Sequence, residues 1–143
     1  MDTPLLDLVR RRQSVRHYTR RPVAREAIER CLEAARLAPS ACNSQPWHFI
    51  VADRDPLRQR LADAAFAGVF AMNTFAREAP VLVTLVAERS KPHAALGGWL
   101  RRTPYNLIDL GIAGEHFVLQ ATAEGLDTCW LGLFDGRAVK RIL

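Results

Sequence analysis

Cysteine is scarce here: Cys31, Cys42 and Cys129 are the only thiols in 143 residues. Their number is odd, and their spacings make neither a zinc site nor a C-x-x-C pair. That argues against a disulfide scaffold and for a reducing compartment, the cytoplasm. His17, His48, His93 and His116 fall at no metal-ligand spacing. Glu115-His116 does not belong to an H-E-x-x-H motif, so no metal is expected. Cys42 with His48 has no orienting acid or strained elbow nearby, which argues against a thiol nucleophile. No G-x-G-x-x-G follows a strand, so a Rossmann dinucleotide site is not expected. The N-terminus lacks an apolar core of signal-peptide length. No apolar run is long enough to span a bilayer, so no membrane role is expected.

What is present suits one domain, taken as residues 1–143. Hydrophobic residues make up 49% of the chain, enough for a core. The net charge is +5 and arginine dominates it. Arginine suits bidentate phosphate contacts. Its residues are scattered and paired with acids, as in Arg25-Glu26 and Glu29-Arg30. That pattern favours a nucleotide phosphate over a nucleic-acid track, so no nucleic-acid partner is expected. A solvated basic surface explains most of these arginines.

Thr3-Pro4 predicts a helix start, with Thr3 as N-cap and Pro4 at the first position. Leu5, Leu8 and Val9 form its apolar stripe, and the chain leaves the helix at Arg12. Ile28, Cys31, Leu32 and Ala35 recur at helical spacing, predicting a second helix over about 24–37. A strand follows from Trp47 to Ala52. Asp55-Pro56 predicts an N-cap pair and a helix from Pro56 to about Phe70. Pro80 to Ala87 is a β-branched apolar run and reads as a central strand. Arg89 to Arg102 is polar and reads as a loop or short helix. Thr103-Pro104 begins the longest helix, which reaches about Glu124 with Gly125 as its stop. It is apolar on most faces, through Leu107, Ile108, Leu110, Ile112, Phe117, Val118 and Leu119. Such a helix belongs in a core or a subunit interface. Gly111, Ala113 and Gly114 permit close helix contact. Thr128 to Phe134 reads as a third strand, and Asp135 caps a last helix running to Leu143. The pattern alone gives an α+β or α/β domain with a sheet covered by helices.

Two segments carry the chemistry. Arg12-Gln13-Ser14-Val15-Arg16 places two guanidinium forks around a hydroxyl just past a helix. Pro39-Ser40-Ala41-Cys42-Asn43-Ser44-Gln45-Pro46-Trp47 is a polar loop with small side chains and a proline near each end. Together they resemble the R-x-S-x-R and P-S-x-x-N-x-Q-P-W motifs of the FMN-dependent nitroreductase family. Ile108-Asp109-Leu110-Gly111-Ile112-Ala113 and Gly125-Leu126-Asp127-Thr128-Cys129-Trp130-Leu131-Gly132 are similar to that family too. The resemblance runs from about Leu5 to the end, with four motifs in order.

The resemblance implies an α+β layered sandwich, with a central, mostly antiparallel sheet covered by helices, that dimerises through long helices. It implies that Arg12 and Arg16 contact the FMN phosphate or pyrimidine edge. Ser14 and Gln13 would contact the ribityl or pyrimidine region. Pro39, Ser40 and Asn43 would reach the flavin from the partner subunit. Trp130, Leu131 and Gly132 would lie along one flavin face, with an amide near Gly132 or Leu133 approaching N5. Asn73 would contact the pyrimidine. Without the resemblance, Ser40 and Asn43 read as a turn that bonds its own backbone.

The implied activity is NAD(P)H oxidation coupled to reduction of a nitroaromatic, quinone or similar small acceptor. The cofactor carries the redox chemistry, and no catalytic side chain is required. Two rivals remain: a dimer module that has lost FMN, and a relative with other flavin chemistry such as dehalogenation or flavin fragmentation. Family members usually add a further strand and a late basic residue at the phosphate. The C-terminal part is therefore expected to be missing from residues 1–143.

Overall fold

In the computed structural model, which describes residues 3–88 and 103–143, Thr3 opens helix α1 (Pro4–Arg11). Its hydroxyl accepts the Leu6 N–H at 3.3 Å, and Pro4 takes the first turn, where no N–H is needed. The reading of Arg89–Arg102 lies outside the described residues. The chain divides into two units that alternate along the sequence. The first is Met1–Arg12, Arg25–Ile50 and Thr84–Leu126; the second is Gln13–Ala24, Val51–Val83 and Asp127–Leu143. Strands β1 (Trp47–Ala52) and β2 (Leu82–Ala87) pair antiparallel and contribute residues to both.

The first unit is built on helices α2 (Arg25–Arg36) and α4 (Tyr105–Ala123). They meet through small residues. Cys31, Ala35, Ala113 and Ala121 are at most 2% exposed. Short side chains let the two backbones approach closely. Phe49 stacks on Phe117 with centroids 5.6 Å apart. His116 is satisfied within the unit, its Nδ1 lying 3.3 Å from the Ala34 carbonyl. Gly125, at φ 74°, ends α4 as its sequence predicts. The Gly125 N–H donates to the Thr122 carbonyl and the Leu126 N–H to the Ala121 carbonyl. This is the paired closure that glycine makes cheap. Arg30 then grips the Glu124 carboxylate with two 2.6 Å bonds. Those bonds hold the carboxyl below its usual range.

Of the core or subunit interface expected for the apolar faces of α4, its first turn takes no place in the core of this unit. Leu107 and Ile108 are about half exposed, and a side chain at Gly111 would meet open space. Close packing is the work of Ala113 and Gly114, both buried, while Gly111 takes no part.

The second unit packs helices α3 (Leu57–Ala65) and α5 (Gly136–Ile142) around Ala52, Leu61, Phe66, Ala76 and Val139. Asp135 caps α5, its carboxylate accepting the Ala138 N–H at 2.9 Å. The helix expected over Pro56–Phe70 is shorter than that. Pro56 itself is the N-cap, and α3 ends at Ala65 because Phe66 leaves helical geometry and Gly68 turns to φ 56°. A 3-10 segment, Gly68–Glu78, continues the chain and is kinked at Asn73. Arg58 fastens its end to α3 by donating to the Arg77 and Ala79 carbonyls at 3.1 and 3.3 Å.

The expected third strand, Thr128 to Phe134, does not form a ladder among the described residues. It makes one parallel bridge, Thr128 to Ser14. Its core-packing residues are Leu131 and Phe134, three apart. A strand needs an even spacing to keep two side chains on one face, so this segment twists instead.

Candidate functional site

In the second unit, the segment after Arg12 is fixed by three contacts. The Val15 N–H donates to the Thr128 carbonyl at 3.0 Å, alongside the Ser14–Thr128 bridge. The Tyr18 hydroxyl donates to the Val15 carbonyl at 2.8 Å. The Tyr18 ring stacks on Phe75 with centroids 6.4 Å apart. Burial pushes the Tyr18 phenol up to about 12, with Cys129 adding to the shift and Arg16 opposing it. Gln13, Ser14 and Arg16 remain exposed. A held backbone with free polar ends suits a binding loop.

The same bridge draws the Trp130–Gly132 segment to this place. Trp130 is 47% exposed, and a Cβ at Gly132 would meet nothing within 4 Å. Among the described residues, the N–H groups of Trp130, Leu131 and Gly132 donate no backbone hydrogen bond. Just beyond, the Asn73 amide donates to the Leu133 carbonyl at 2.8 Å. Gln13, Ser14, Arg16, Asn73 and Trp130–Gly132 are thus linked within one unit. Asn73 spends one amide N–H on the protein, which leaves the other N–H and the carbonyl oxygen for a ligand.

The first unit carries Arg12, Pro39, Ser40 and Asn43. Arg12 is the C-cap of α1, its N–H donating to the Leu8 carbonyl. The loop after α2 is held in an uncommon shape. Cys42, Asn43 and Gln45 have φ of 52°, 49° and 47°. Left-handed geometry costs a non-glycine residue about 1–3 kcal/mol and persists only where surroundings impose it. Ser40 does part of the imposing. Its Oγ accepts the Gln45 N–H at 2.9 Å, and its carbonyl accepts the Asn43 N–H at 3.0 Å. The self-bonding turn read from the sequence is therefore real for Ser40, and its hydroxyl proton remains available to a ligand.

Asp109 supplies the rest. This carboxylate on α4 is 3% exposed, and its Oδ1 accepts the Ala41 N–H at 3.1 Å. Its Oδ2 has no partner among the described residues. Neither Asp109 nor Tyr18 stands out as a site residue in the sequence. The available signal for Asp109 was an acid inside the apolar run Leu107–Ile112.

A separate cleft of about 380 Å³ in the second unit is lined by Arg20, Asp53, Asp55, Arg58, Arg77 and Glu78. Its charges balance, Arg58 is committed to backbone carbonyls, and none of the expected site residues lines it.

Within the second unit, Arg16, Ser14, the side-chain amides of Gln13 and Asn73 and the Trp130–Gly132 N–H groups make a donor set that suits a phosphorylated flavin. Comparison with known proteins points the same way. A relative in Archaeoglobus fulgidus, named as an NADH dehydrogenase/NAD(P)H nitroreductase, is 32% identical over 131 residues. That match covers 90% of this chain and 67% of the relative. A Thermus thermophilus NADH dehydrogenase is 40% identical over 114 residues, 79% of this chain and 49% of its own. The chain thus spans half to two thirds of these relatives. A Rhodospirillum rubrum 5,6-dimethylbenzimidazole synthase is 27% identical over 92% of this chain and 70% of its own.

Among solved structures, a nitroreductase family protein from Clostridium novyi superposes with a TM-score of 0.78 at 26% identity. The alignment covers 97% of this chain and 75% of the other. A BluB-like flavoprotein from Clostridium difficile gives 0.78 at 27%, covering 99% and 79%. A Desulfovibrio desulfuricans protein crystallised with FMN gives 0.73 at 29%, covering 93% and 70%. The nitroreductase family model matches residues 9–74 and 69–143. With the α+β fold, the motifs and the family model in agreement, this chain belongs to the nitroreductase family.

Proposed function

We propose that the protein is an FMN-dependent oxidoreductase that takes electrons from NAD(P)H and reduces a nitroaromatic, quinone or similar small acceptor. The observation that carries this is the Trp130–Gly132 segment. Among the described residues its backbone N–H groups donate no backbone hydrogen bond, it has no side chain at Gly132, and it lies beside Ser14 and Asn73. A flat ring needs that kind of surface. When bound, FMN supplies the two-electron redox chemistry. The chain's own residues bind and orient it. Arg12 and Arg16 offer charge-assisted bonds to a phosphate or a pyrimidine oxygen. Gln13 and Ser14 serve the ribityl or pyrimidine region, and the Asn73 carbonyl oxygen serves the pyrimidine edge. Pro39, Ser40 and Asn43 complete the site from a partner subunit.

A homodimer with shared sites follows from this assignment. In the first unit, α1 and α4 leave Leu5, Val9, Leu107 and Ile108 between 46% and 63% exposed. Apolar surface of that kind marks an interface. Donor and acceptor would use one face in turn. Steady-state kinetics are therefore expected to give parallel double-reciprocal lines. Intersecting lines would mean two simultaneous sites and contradict the proposal.

Other flavin chemistry is a second reading, favoured by the similarity to a 5,6-dimethylbenzimidazole synthase and a BluB-like flavoprotein. The two separate in one assay. Acceptor-dependent NAD(P)H oxidation with intact flavin supports the first, and loss of the flavin itself under air supports the second.

A further inference from the structure

We infer that Asp109 is a positioning residue, whose bond to the Ala41 N–H sets the shape in which Ser40 and Asn43 are presented to the flavin. The inference rests on the reading of this loop as part of the cofactor site. Three observations carry it. The loop holds Cys42 and Gln45 at positive φ, which neither side chain favours, on either side of Asn43, which tolerates it, so part of its shape is imposed by its surroundings. Its bonds through Ser40 and Ala41 acceptors are local, spanning three to five residues. The Ala41 bond instead crosses 68 positions of sequence to a helix whose backbone is fixed by packing on α2. Asp109 is also costly where it stands. A carboxylate 3% exposed, with one oxygen unpartnered among the described residues, is a poor choice for helix packing. Alanine, like Ala113 one turn on, would serve packing alone. The acid is explained by what it holds.

Only Oδ1 is used by the loop, so Asp109→Asn keeps an acceptor for Ala41 while Asp109→Ala removes it. The same bond can be deleted from the other side. Ala41→Pro removes the donor at the first position of a 3-10 turn preceded by an extended Ser40, where proline is compatible. Thr122→Val is the structural control. It removes a buried hydroxyl of the same helix whose bond among the described residues is to the Val118 carbonyl.

The experiment uses the whole chain in two readouts: amide exchange at Ala41 in apoprotein, and FMN titration by flavin fluorescence. Asp109→Ala is expected to speed Ala41 exchange and weaken FMN binding about ten- to a hundredfold, the scale of leaving a part-buried N–H without an acceptor. Asp109→Asn is expected to stay within a few-fold of wild type in both. Ala41→Pro should weaken FMN similarly, and the double variant Ala41→Pro/Asp109→Ala should be no weaker than the weaker single. This cycle decides the matter through Asp109→Asn and Ala41→Pro if Asp109→Ala does not fold. Unchanged Ala41 exchange, additive losses, or an equal loss of FMN affinity in Thr122→Val would overturn the inference. Faster exchange with unchanged FMN affinity would overturn it too, by removing the loop from the flavin site. Failure of the wild type itself to bind FMN would instead strike the proposed function.

Discussion

The Tyr18 hydroxyl donates to the Val15 carbonyl at 2.8 Å, and the Val15 N–H donates to the Thr128 carbonyl at 3.0 Å. Val15 is thereby held from both sides, and the flanking Ser14 and Arg16 are displayed from a fixed backbone. Tyr18→Phe keeps the stack on Phe75 and removes the hydroxyl bond. It is expected to cost about 1 kcal/mol of stability, the net worth of one such bond. A urea midpoint equal to wild type would show that the bond contributes nothing.

Arg16→Ala is expected to act on binding rather than folding, because Arg16 is exposed. Loss of one charge-assisted contact corresponds to about 1.5–3 kcal/mol, or one to two decades in FMN affinity. Isothermal titration of the apoprotein checks this. An unchanged dissociation constant would remove Arg16 from the site.

Stability is expected to fall on the alkaline side. Burial raises the Cys31 thiol from 9.0 to about 11 and the Tyr18 phenol from 10.0 to about 12. In the unfolded chain both groups lose their protons earlier. The folded state therefore binds more protons between these limits, and stability decreases as pH rises. The contribution is whole below pH 9 and is lost progressively up to about pH 12. Urea unfolding of wild type and Cys31→Ala at pH 8 and 10.5 tests the thiol's share. A wild-type decline no steeper than the variant's would contradict it.

Much of the fold was legible because caps and periodicity are local. Thr3, Pro4, Asp135 and Gly125 each act where the sequence places them. Misreadings came where tertiary packing overruled local pattern. The Pro56–Phe70 helix broke because Phe66 turned into the core and Gly68 took a left-handed turn. Thr128–Phe134 had strand-forming residues but, among the described residues, no β-bridge beyond the one between Thr128 and Ser14. Most site residues were legible only as motifs. Asp109 lay inside a family-like segment, yet neither it nor Tyr18 could be given a role, since their roles are bonds to backbone atoms that no side-chain pattern announces.

The proposed sharing of active sites makes a prediction about mixtures. Arg16→Ala and Asn43→Ala chains are each expected to bind FMN poorly. A mixed dimer carries one site with both defects and one with neither. Co-refolding the two is therefore expected to restore about a quarter of the wild-type sites, given random pairing with one intact site per mixed dimer. No recovery, or a monomer by sedimentation that still binds FMN tightly, would contradict the shared site.

The most direct measurement is an absorption spectrum of the purified protein after incubation with FMN and removal of free ligand. A flavin spectrum retained with the protein, bleached by NADH or NADPH and restored by a quinone, is the predicted result. A colourless protein, or bound flavin that neither nucleotide reduces, would contradict the assignment of this chain as a flavin oxidoreductase.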